Sequence, residues 1–259
     1  MMKTYTIVHK QDELSKNVAL KIKKELDVFM LDDDKNPELI ITVGGDGTML
    51  HSVHQYREQL DKVCFVGIHT GTLGFLTDYQ MDEYQELVED IKSNQCKIYN
   101  RHLLDIQTNK DSYIALNEFR IENNMRSQVL DVYINQEFFE TFRGNGLCVS
   151  TASGSTAYNK SLGGAVVYSG AGIMQLSEIA GIHHNAYRSL GSSLILDESH
   201  VIRFESQSFK DSILGVDHLV FDLKDVSFVD VKISSQCVRF AQFKRVSLIE
   251  RLKRSFLSV

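Results

Sequence analysis

The apolar run Leu39-Ile40-Ile41-Thr42-Val43 ends abruptly in Gly44-Gly45-Asp46-Gly47, and this junction constrains the fold more than any other part of the chain. An unbroken run of this kind fits a strand buried on both faces, as in a parallel sheet covered by helices. Two adjacent glycines after it let the backbone turn sharply and approach a ligand closely, because no Cβ intervenes. Thr48, Met49, Leu50 and Val53 then open a helical pattern, so the N–H groups of the loop gather at the positive end of a helix, where anions bind. Asp46 is the unexpected member. A carboxylate beside phosphates repels them unless it bridges a metal or takes a proton from a hydroxyl that attacks phosphorus. The junction therefore points to phosphoryl transfer, although the four residues alone fit equally a tight turn in which Asp-Gly supplies only geometry.

Composition narrows the function classes. A chain of 259 residues with 43% apolar residues is long enough for one large domain or two small ones with substantial cores. Its net charge of −6 argues against a general nucleic-acid binder, so the positive partners of a bound phosphate must be local. The apolar residues at the start are too few for a signal peptide and no later stretch is long enough to span a bilayer, so a cytoplasmic location and no membrane partner are expected. Cys64, Cys96, Cys148 and Cys237 form no Cys-x-x-Cys pair, which leads us to expect reduced thiols and no protein-held metal.

The first hundred residues alternate strand and helix patterns. Thr4 to Val8 reads as a strand, and Asp12 caps a helix with Leu14, Val18, Ile22 and Leu26 on one buried stripe. The acidic Asp32-Asp33-Asp34 reads as a solvated loop. After the Leu39 strand come a helix carrying Met49, Leu50, Val53, Tyr56 and Leu60, a strand from Val63 to Ile68, and a second glycine-containing loop, His69-Thr70-Gly71-Thr72-Leu73-Gly74-Phe75. In an open parallel sheet the loops at the carboxyl ends of strands gather along one edge, which would set this loop beside Gly44. A helix with Tyr84, Leu87, Val88 and Ile91 closes the region. After Lys97 short two-periodic segments dominate, as in Asp131 to Ile134, the turn Asn135-Gln136 and Phe138-Phe139, so a mainly β domain is expected. Further strands are expected at Tyr113 to Leu116, Leu147 to Ser150, Val201 to Glu205, Leu219 to Leu223, Val226 to Ile233 and Val238 to Phe243. Lys244 to Val259 reads as a short amphipathic helix packing back on the first domain.

A second chemical constellation runs from Arg143 to Gly164. Ser150, Thr151, Ser153, Ser155 and Thr156 crowd hydroxyls around Gly154 just before a short helix expected from Ala157 to Leu162, forming a polar nest for a flat ligand, with Tyr158 offering a ring face or a hydroxyl. Asn117-Glu118 ends another strand with groups suited to sugar hydroxyls and base amides. Arg143 and Lys160 supply local positive charge, the arginine as a fork for phosphate, and the ring of His218 can stack on a base or donate to a phosphate. Walker, Gly-x-Gly-x-x-Gly, His-Glu-x-x-His and Gly-x-Ser-x-Gly motifs are absent.

Gly44-Gly45-Asp46-Gly47, the His69 to Phe75 segment, Leu116-Asn117-Glu118, Gly146 to Thr151 and Ser153 to Asn159, taken in this order, resemble the bacterial NAD kinases. Gly-Gly-Asp-Gly alone also fits diacylglycerol or sphingosine kinases and phosphofructokinases; the Ser-Gly-Ser-Thr-Ala-Tyr block separates them. The resemblance implies an alcohol phosphotransferase that moves the γ-phosphoryl of ATP to the 2′-hydroxyl of the adenosine ribose of NAD, giving NADP, with magnesium arriving on ATP. It implies that Asp46 is the general base. Asn117, Glu118, Thr156, Ala157, Tyr158 and Ser161 match positions that hold the dinucleotide, Arg143 and His218 positions near the added phosphate, and Ala180 a position reached across a subunit interface. Gly45, Gly47, His51, Phe75, Asn145, Ser153, Asn159 and Lys160 complete the implied nucleotide-binding set. It further implies a homodimer or homotetramer and an architecture of a Rossmann-like α/β domain over residues 1–100, a β-sandwich dinucleotide-binding domain over 101–243, and a tail over 244–259. Three residues depart from the family pattern: Asn145 where Asp is usual, and Ala152 and Ser193 where Pro is common. A lipid kinase sharing the glycine loop and a non-catalytic NADP-binding sensor are the competing readings.

Overall fold

The computed structural model describes residues 2–71, 74–244 and 246–257. Thr72 and Leu73 of the second glycine loop, and Arg245 of the tail, lie outside the described residues. The chain forms two compact units, one made of the first hundred residues together with the stretch from Cys237 onward, the other of Arg101–Gln236.

In the first unit, β1 (Thr4–His9) leads into α1 (Glu13–Leu26), followed by β2 (Leu31–Asp32), β3 (Leu39–Gly44), α2 (Asp46–Gln55), β4 (Cys64–His69), β5 (Tyr79–Gln80) and α3 (Tyr84–Ser93). The strands run parallel in the order β2-β1-β3-β4, with β5 beyond β4. Every residue of β3 is buried, as a strand covered on both faces requires. The apolar side chains of β3 and β4 pack with Val18, Ala19, Ile22 and Leu26 of α1 and with Leu87, Val88 and Ile91 of α3. The α1 stripe differs from the expected one at its start. Leu14 is half exposed, and Ser15 is buried instead, because the Asp12 carboxylate accepts the Ser15 N–H and fixes the phase of the first turn.

The second unit is antiparallel. β6 (Lys97–Thr108) enters it and pairs with β7 (Ser112–Ala115); β8 (Glu118–Glu122), β9 (Gln128–Ile134) and β10 (Glu137–Thr151) follow. After α4 (Tyr158–Ser161) come β11 (Ile173–Gly181), β12 (Leu194–Asp197), β13 (Val201–Glu205), β14 (Ile213–Val216), β15 (Leu219–Asp222) and β16 (Phe228–Gln242). β10 hydrogen-bonds with β8, β9 and β11 along its length, which brings the Arg143 to Thr151 segment beside Glu118–Glu122 and Ile173–Gly181. The core gathers Phe119, Phe142, Phe204, Leu130 and Val149, all fully buried.

Two expected strands, Val226 to Ile233 and Val238 to Phe243, are one continuous strand. The polar Ser234, Ser235 and Gln236 read as a break, yet β16 runs through them, pairing with β13 at one end and with β4 through Phe240 and Phe65 at the other. α5 (Leu248–Leu252) closes the chain, with Ser247 as its N-cap accepting the Glu250 N–H.

The β9–β10 hairpin turns through Asn135 and Gln136, both with positive φ, of 51° and 71°. Such a turn matches strand twist but strains a side-chain-bearing residue at its second position. Gln136→Gly should raise stability by about 0.5–1 kcal/mol, read as a higher denaturant midpoint at unchanged slope. An unchanged midpoint would mean that Gln136 is unstrained there.

Candidate nucleotide and phosphate sites

In the first unit the helix of the glycine loop starts two residues earlier than its apolar pattern indicates. Gly45 is extended (φ −110°, ψ −171°) and serves as N-cap, its carbonyl accepting the Thr48 and Met49 N–H groups at 2.9 and 3.2 Å, so Asp46 is the first helical residue. A side chain at Gly44 would overlap that of Thr48, which explains the first glycine. Gly47 is different. It lines a cavity of about 1000 Å³, yet a Cβ built on it meets, among the described residues and beyond its own helix backbone, no atom within 4 Å. The same cavity is bordered by His9, Lys10 and Gln11 at the end of β1, by Gly45, Thr48 and His51 of the loop and helix, and by His69, Thr70 and Gly71 at the end of β4. The two strand-end loops are indeed neighbours, joined where the Thr70 N–H donates to the Gly44 carbonyl at 3.1 Å.

The Asp46 carboxylate accepts two backbone N–H groups, from Phe75 to Oδ2 at 2.8 Å and from Leu76 to Oδ1 at 3.0 Å. Gly74 must be glycine because a Cβ there would overlap that carboxylate. Phe75 thus reaches the site through its N–H, while its ring stacks on Phe256 with centroids 5.4 Å apart. Burial lowers the pKa of His69, opposed by the nearby Asp46 charge. Its Nδ1 accepts the Gly71 N–H at 2.9 Å, which assigns the proton to Nε2.

In the second unit the Ser/Thr-rich loop sits directly on Asn117-Glu118. The Thr151 N–H donates to the Asn117 carbonyl at 2.8 Å, the Thr151 hydroxyl to the Leu116 carbonyl at 2.6 Å, and the Gly154 N–H to that hydroxyl at 3.0 Å. A Cβ on Gly154 would overlap the Asn117 carbonyl, so the glycine permits this contact. The expected helix from Ala157 is a shorter one, α4, preceded by a tight turn at Gly154–Thr156. Tyr158 donates its hydroxyl to Glu122 at 3.0 Å, and Arg120 lies 4.9 Å from its ring centre. Ser153 is buried and accepts from Arg101 at 3.4 Å; Asn159 is buried with Oδ1 accepting from Ser177 at 2.8 Å; Lys160 and Ser161 are exposed, and Thr156 and Ala157 partly so. Ser193 also bonds Ser177, hydroxyl to hydroxyl at 2.8 Å, a contact proline could not make.

Arg143 stacks on Tyr187, 4.3 Å from the ring centre. Ala180 is exposed and held at φ 46°, a strained backbone for a residue with a side chain. Asn145 spends its side-chain N–H on the Asn123 carbonyl at 2.9 Å. An aspartate cannot make that bond, so the departure from the family pattern has a local structural use.

The residue that sequence reasoning missed is Asp217. Its carboxylate accepts the N–H groups of Leu116, Asn117 and Glu118 at 2.9, 2.7 and 3.3 Å, tying down the strand end that carries the Asn-Glu pair. It directly precedes His218, which is exposed in the β14–β15 turn, and no motif marks it. Arg101, Arg120 and Glu122 also lacked any local signal, since their partners Ser153 and Tyr158 lie some 36 to 52 residues away in the chain.

The carboxyl of Glu118 is pushed up to about 7 from an ordinary 4.5, by burial first and then by the Asp217 charge, with Arg120 opposing. Among the described residues no group of three or more His, Cys, Asp or Glu gathers to hold a metal, and no helix is long and apolar enough to cross a membrane.

A carboxylate at the start of a helix beside a roomy, histidine- and lysine-bordered cavity, in a chain of one parallel and one antiparallel unit, defines a phosphotransferase-type scaffold. The ATP-NAD kinase N-terminal domain matches residues 2–95 and the ATP-NAD kinase C-terminal domain residues 116–241. NAD kinase 1 of Halalkalibacterium halodurans is 37% identical over 260 residues, covering 98% of each chain. An NAD kinase of Staphylococcus aureus is 38% identical over 262 residues, covering 98% of this chain and 97% of its own. The fold is shared with the crystal structure of yeast NADH kinase complexed with NADH, at a TM-score of 0.86, 21% identity, and coverage of 98% of this chain and 87% of that one. It is also shared with an NAD kinase from Archaeoglobus fulgidus in complex with ATP, at a TM-score of 0.71, 21% identity, and coverage of 93% and 94%. The chain belongs to the NAD kinase family.

The Glu118 shift generates a stability prediction. Between about pH 4.5 and pH 7 the folded chain keeps a proton that the unfolded chain has released, so this group makes stability fall as pH rises through that window. The cost is then fully present above it, at about 3 kcal/mol. Glu118→Gln should therefore melt at a temperature that climbs relative to the parent as pH rises from about 5 to about 8. A gap independent of pH in thermal melts would place the carboxyl in a solvated setting.

Proposed function

We propose that this chain transfers the γ-phosphoryl of ATP to the 2′-hydroxyl of the adenosine ribose of NAD, giving NADP and ADP, with Asp46 as general base. The observation that carries the reading is Asp46 itself, held at the first position of α2 by two loop N–H groups beside the cavity that Gly45 and Gly47 line. Each carboxylate oxygen gives one lone pair to the loop, and a carboxylate has about four. The remainder can take the hydroxyl proton as the new O–P bond forms and the bond between the γ-phosphorus and its bridging oxygen breaks. A ribose hydroxyl is a weak nucleophile, so positioning and a well-placed base do most of what the reaction asks of the protein.

The cavity beside α2 suits the triphosphate. Its first helical turn offers backbone N–H groups and the positive end of the dipole, and Lys10 adds a charge, with His9, His51 and His69 as further donors. Magnesium would enter with the ATP substrate and would offset the negative charge of its phosphates. In the second unit Asn117 and Glu118 bind ribose hydroxyls, and the Ser153 to Ser161 nest, with Thr156, Ala157, Asn159 and Lys160, receives the rest of the dinucleotide against the Tyr158 ring. Arg143 and His218 pair with the 2′-phosphate of the product. Ala180 completes the site of a neighbouring copy in a homodimer or homotetramer working in the cytoplasm.

Incubation of purified protein with NAD, ATP and magnesium should yield NADP; its absence would overturn the reading. Asp46→Asn should lower turnover by two or more orders of magnitude, on the order of the loss of a general base, with the Michaelis constant for NAD within a few-fold. Near-native turnover would remove Asp46 from that role. Arg143→Ala should weaken NADP binding more than NAD binding in calorimetry, because only the product carries a 2′-phosphate for the guanidinium. Equal losses would place Arg143 elsewhere.

A further inference from the structure

The C-terminal tail reaches back to the segment that holds Asp46. Arg251 of α5 is buried, 6% exposed, and its guanidinium donates to three acceptors on Gly74–Asp78: the Gly74 carbonyl at 3.4 Å, the Thr77 carbonyl, and the Asp78 carboxylate. On the same segment the N–H groups of Phe75 and Leu76 point the other way, onto the two Asp46 oxygens. Phe256, one turn beyond Arg251, stacks on Phe75. The segment is thus fastened at its carbonyls by the tail and fastens the carboxylate with its N–H groups. All of these residues lie in the first unit.

A buried guanidinium is costly unless its donors are satisfied, so an arginine stays in such a place where a fixed, planar fork is needed. Arg251 has its fork on two carbonyls and one carboxylate of a five-residue stretch, a geometry that a flexible ammonium cannot reproduce. We propose that Arg251 is a positioning residue for the Asp46 carboxylate, setting its orientation through the Gly74–Asp78 segment while touching neither substrate. This rests on the reading of Asp46 as the base. The consequence is that the last dozen residues of the chain control the rate of the chemical step and leave dinucleotide affinity alone.

The test compares Arg251→Lys, which keeps the charge and loses the fork, and Phe256→Ala, which leaves the ion pair intact, with the parent and with Asp46→Asn. In Arg251→Lys we expect kcat to fall on the order of 10- to 100-fold, as small misplacements of a reacting group do, with the Michaelis constant for NAD within about two-fold of the parent because the dinucleotide's contacts are untouched. Phe256→Ala should show a smaller fall of the same kind. Amide exchange supplies a readout that does not depend on turnover: the Phe75 and Leu76 N–H groups should lose protection in Arg251→Lys, while amides of β3 and β4 keep theirs. Native kcat in folded Arg251→Lys, or unchanged protection at Phe75 and Leu76, would overturn the proposal. A lower melting temperature with unchanged kcat per folded molecule would do so too, by reducing Arg251 to a structural brace. If Asp46→Asn itself were fully active, the base assignment would fail first; if Asp46→Asn were inactive and Arg251→Lys native-like, only the positioning role would fail.

Discussion

The carboxylate of Asp46, receiving the N–H groups of Phe75 and Leu76, is the contact around which the first unit is arranged. A carboxylate aimed at no partner would rotate and repel an incoming phosphate. Two backbone donors fix its plane, and the helix it opens offers the positive dipole end beside it. The contact is possible because Gly74 has no side chain to overlap the carboxylate and because Gly45 is extended enough to cap α2 at once. A Cβ at Gly74 would displace the base, and one at Gly45 would press on the His69 ring, 3.3 Å from Nε2.

The second unit solves a related problem differently. Asn117 and Glu118 stand at the start of β8, where backbone N–H groups would otherwise point into a buried region unpaired. Asp217 accepts three of them from a turn about a hundred residues later, and Ala180 and Asp217 both hold positive φ to make their bends. The cost is electrostatic. Burial raises the affinity of Glu118 for its proton, the Asp217 charge raises it further, and Arg120 recovers part of that while lying against the Tyr158 ring. Stability is traded here for a group poised near neutrality beside hydroxyl-rich backbone.

Legibility in the sequence followed the range of the interaction. The buried strand Leu39–Gly44, its glycine turn, the hairpin at Asn135-Gln136 and the helical stripe of Val18, Ile22 and Leu26 are all local patterns, and they stand in the structure where the residues indicate. Leu14 is the exception within a helix, because the Asp12 cap, bonded to the Ser15 N–H, sets the phase of the first turn. β16 shows the opposite failure: polar Ser234 to Gln236 look like a break, but pairing partners on β13 and β4 carry the strand through.

By itself the sequence determined the chemistry available: a carboxylate among glycines at a strand end, a hydroxyl-rich loop before Tyr158, and the family to which both point. Those follow from residue types at short spacing, where backbone freedom and hydrogen-bonding capacity are set by neighbours in the chain. Only the tertiary structure decided what holds each group in place. The Asp46 oxygens meet N–H groups about thirty residues away, the Asn117 strand end is tied by Asp217, and the segment over Asp46 is gripped by Arg251 some 175 residues later. No local preference encodes such pairs, because a buried donor takes whichever acceptor the packed chain brings within reach, and that choice is made by the whole fold.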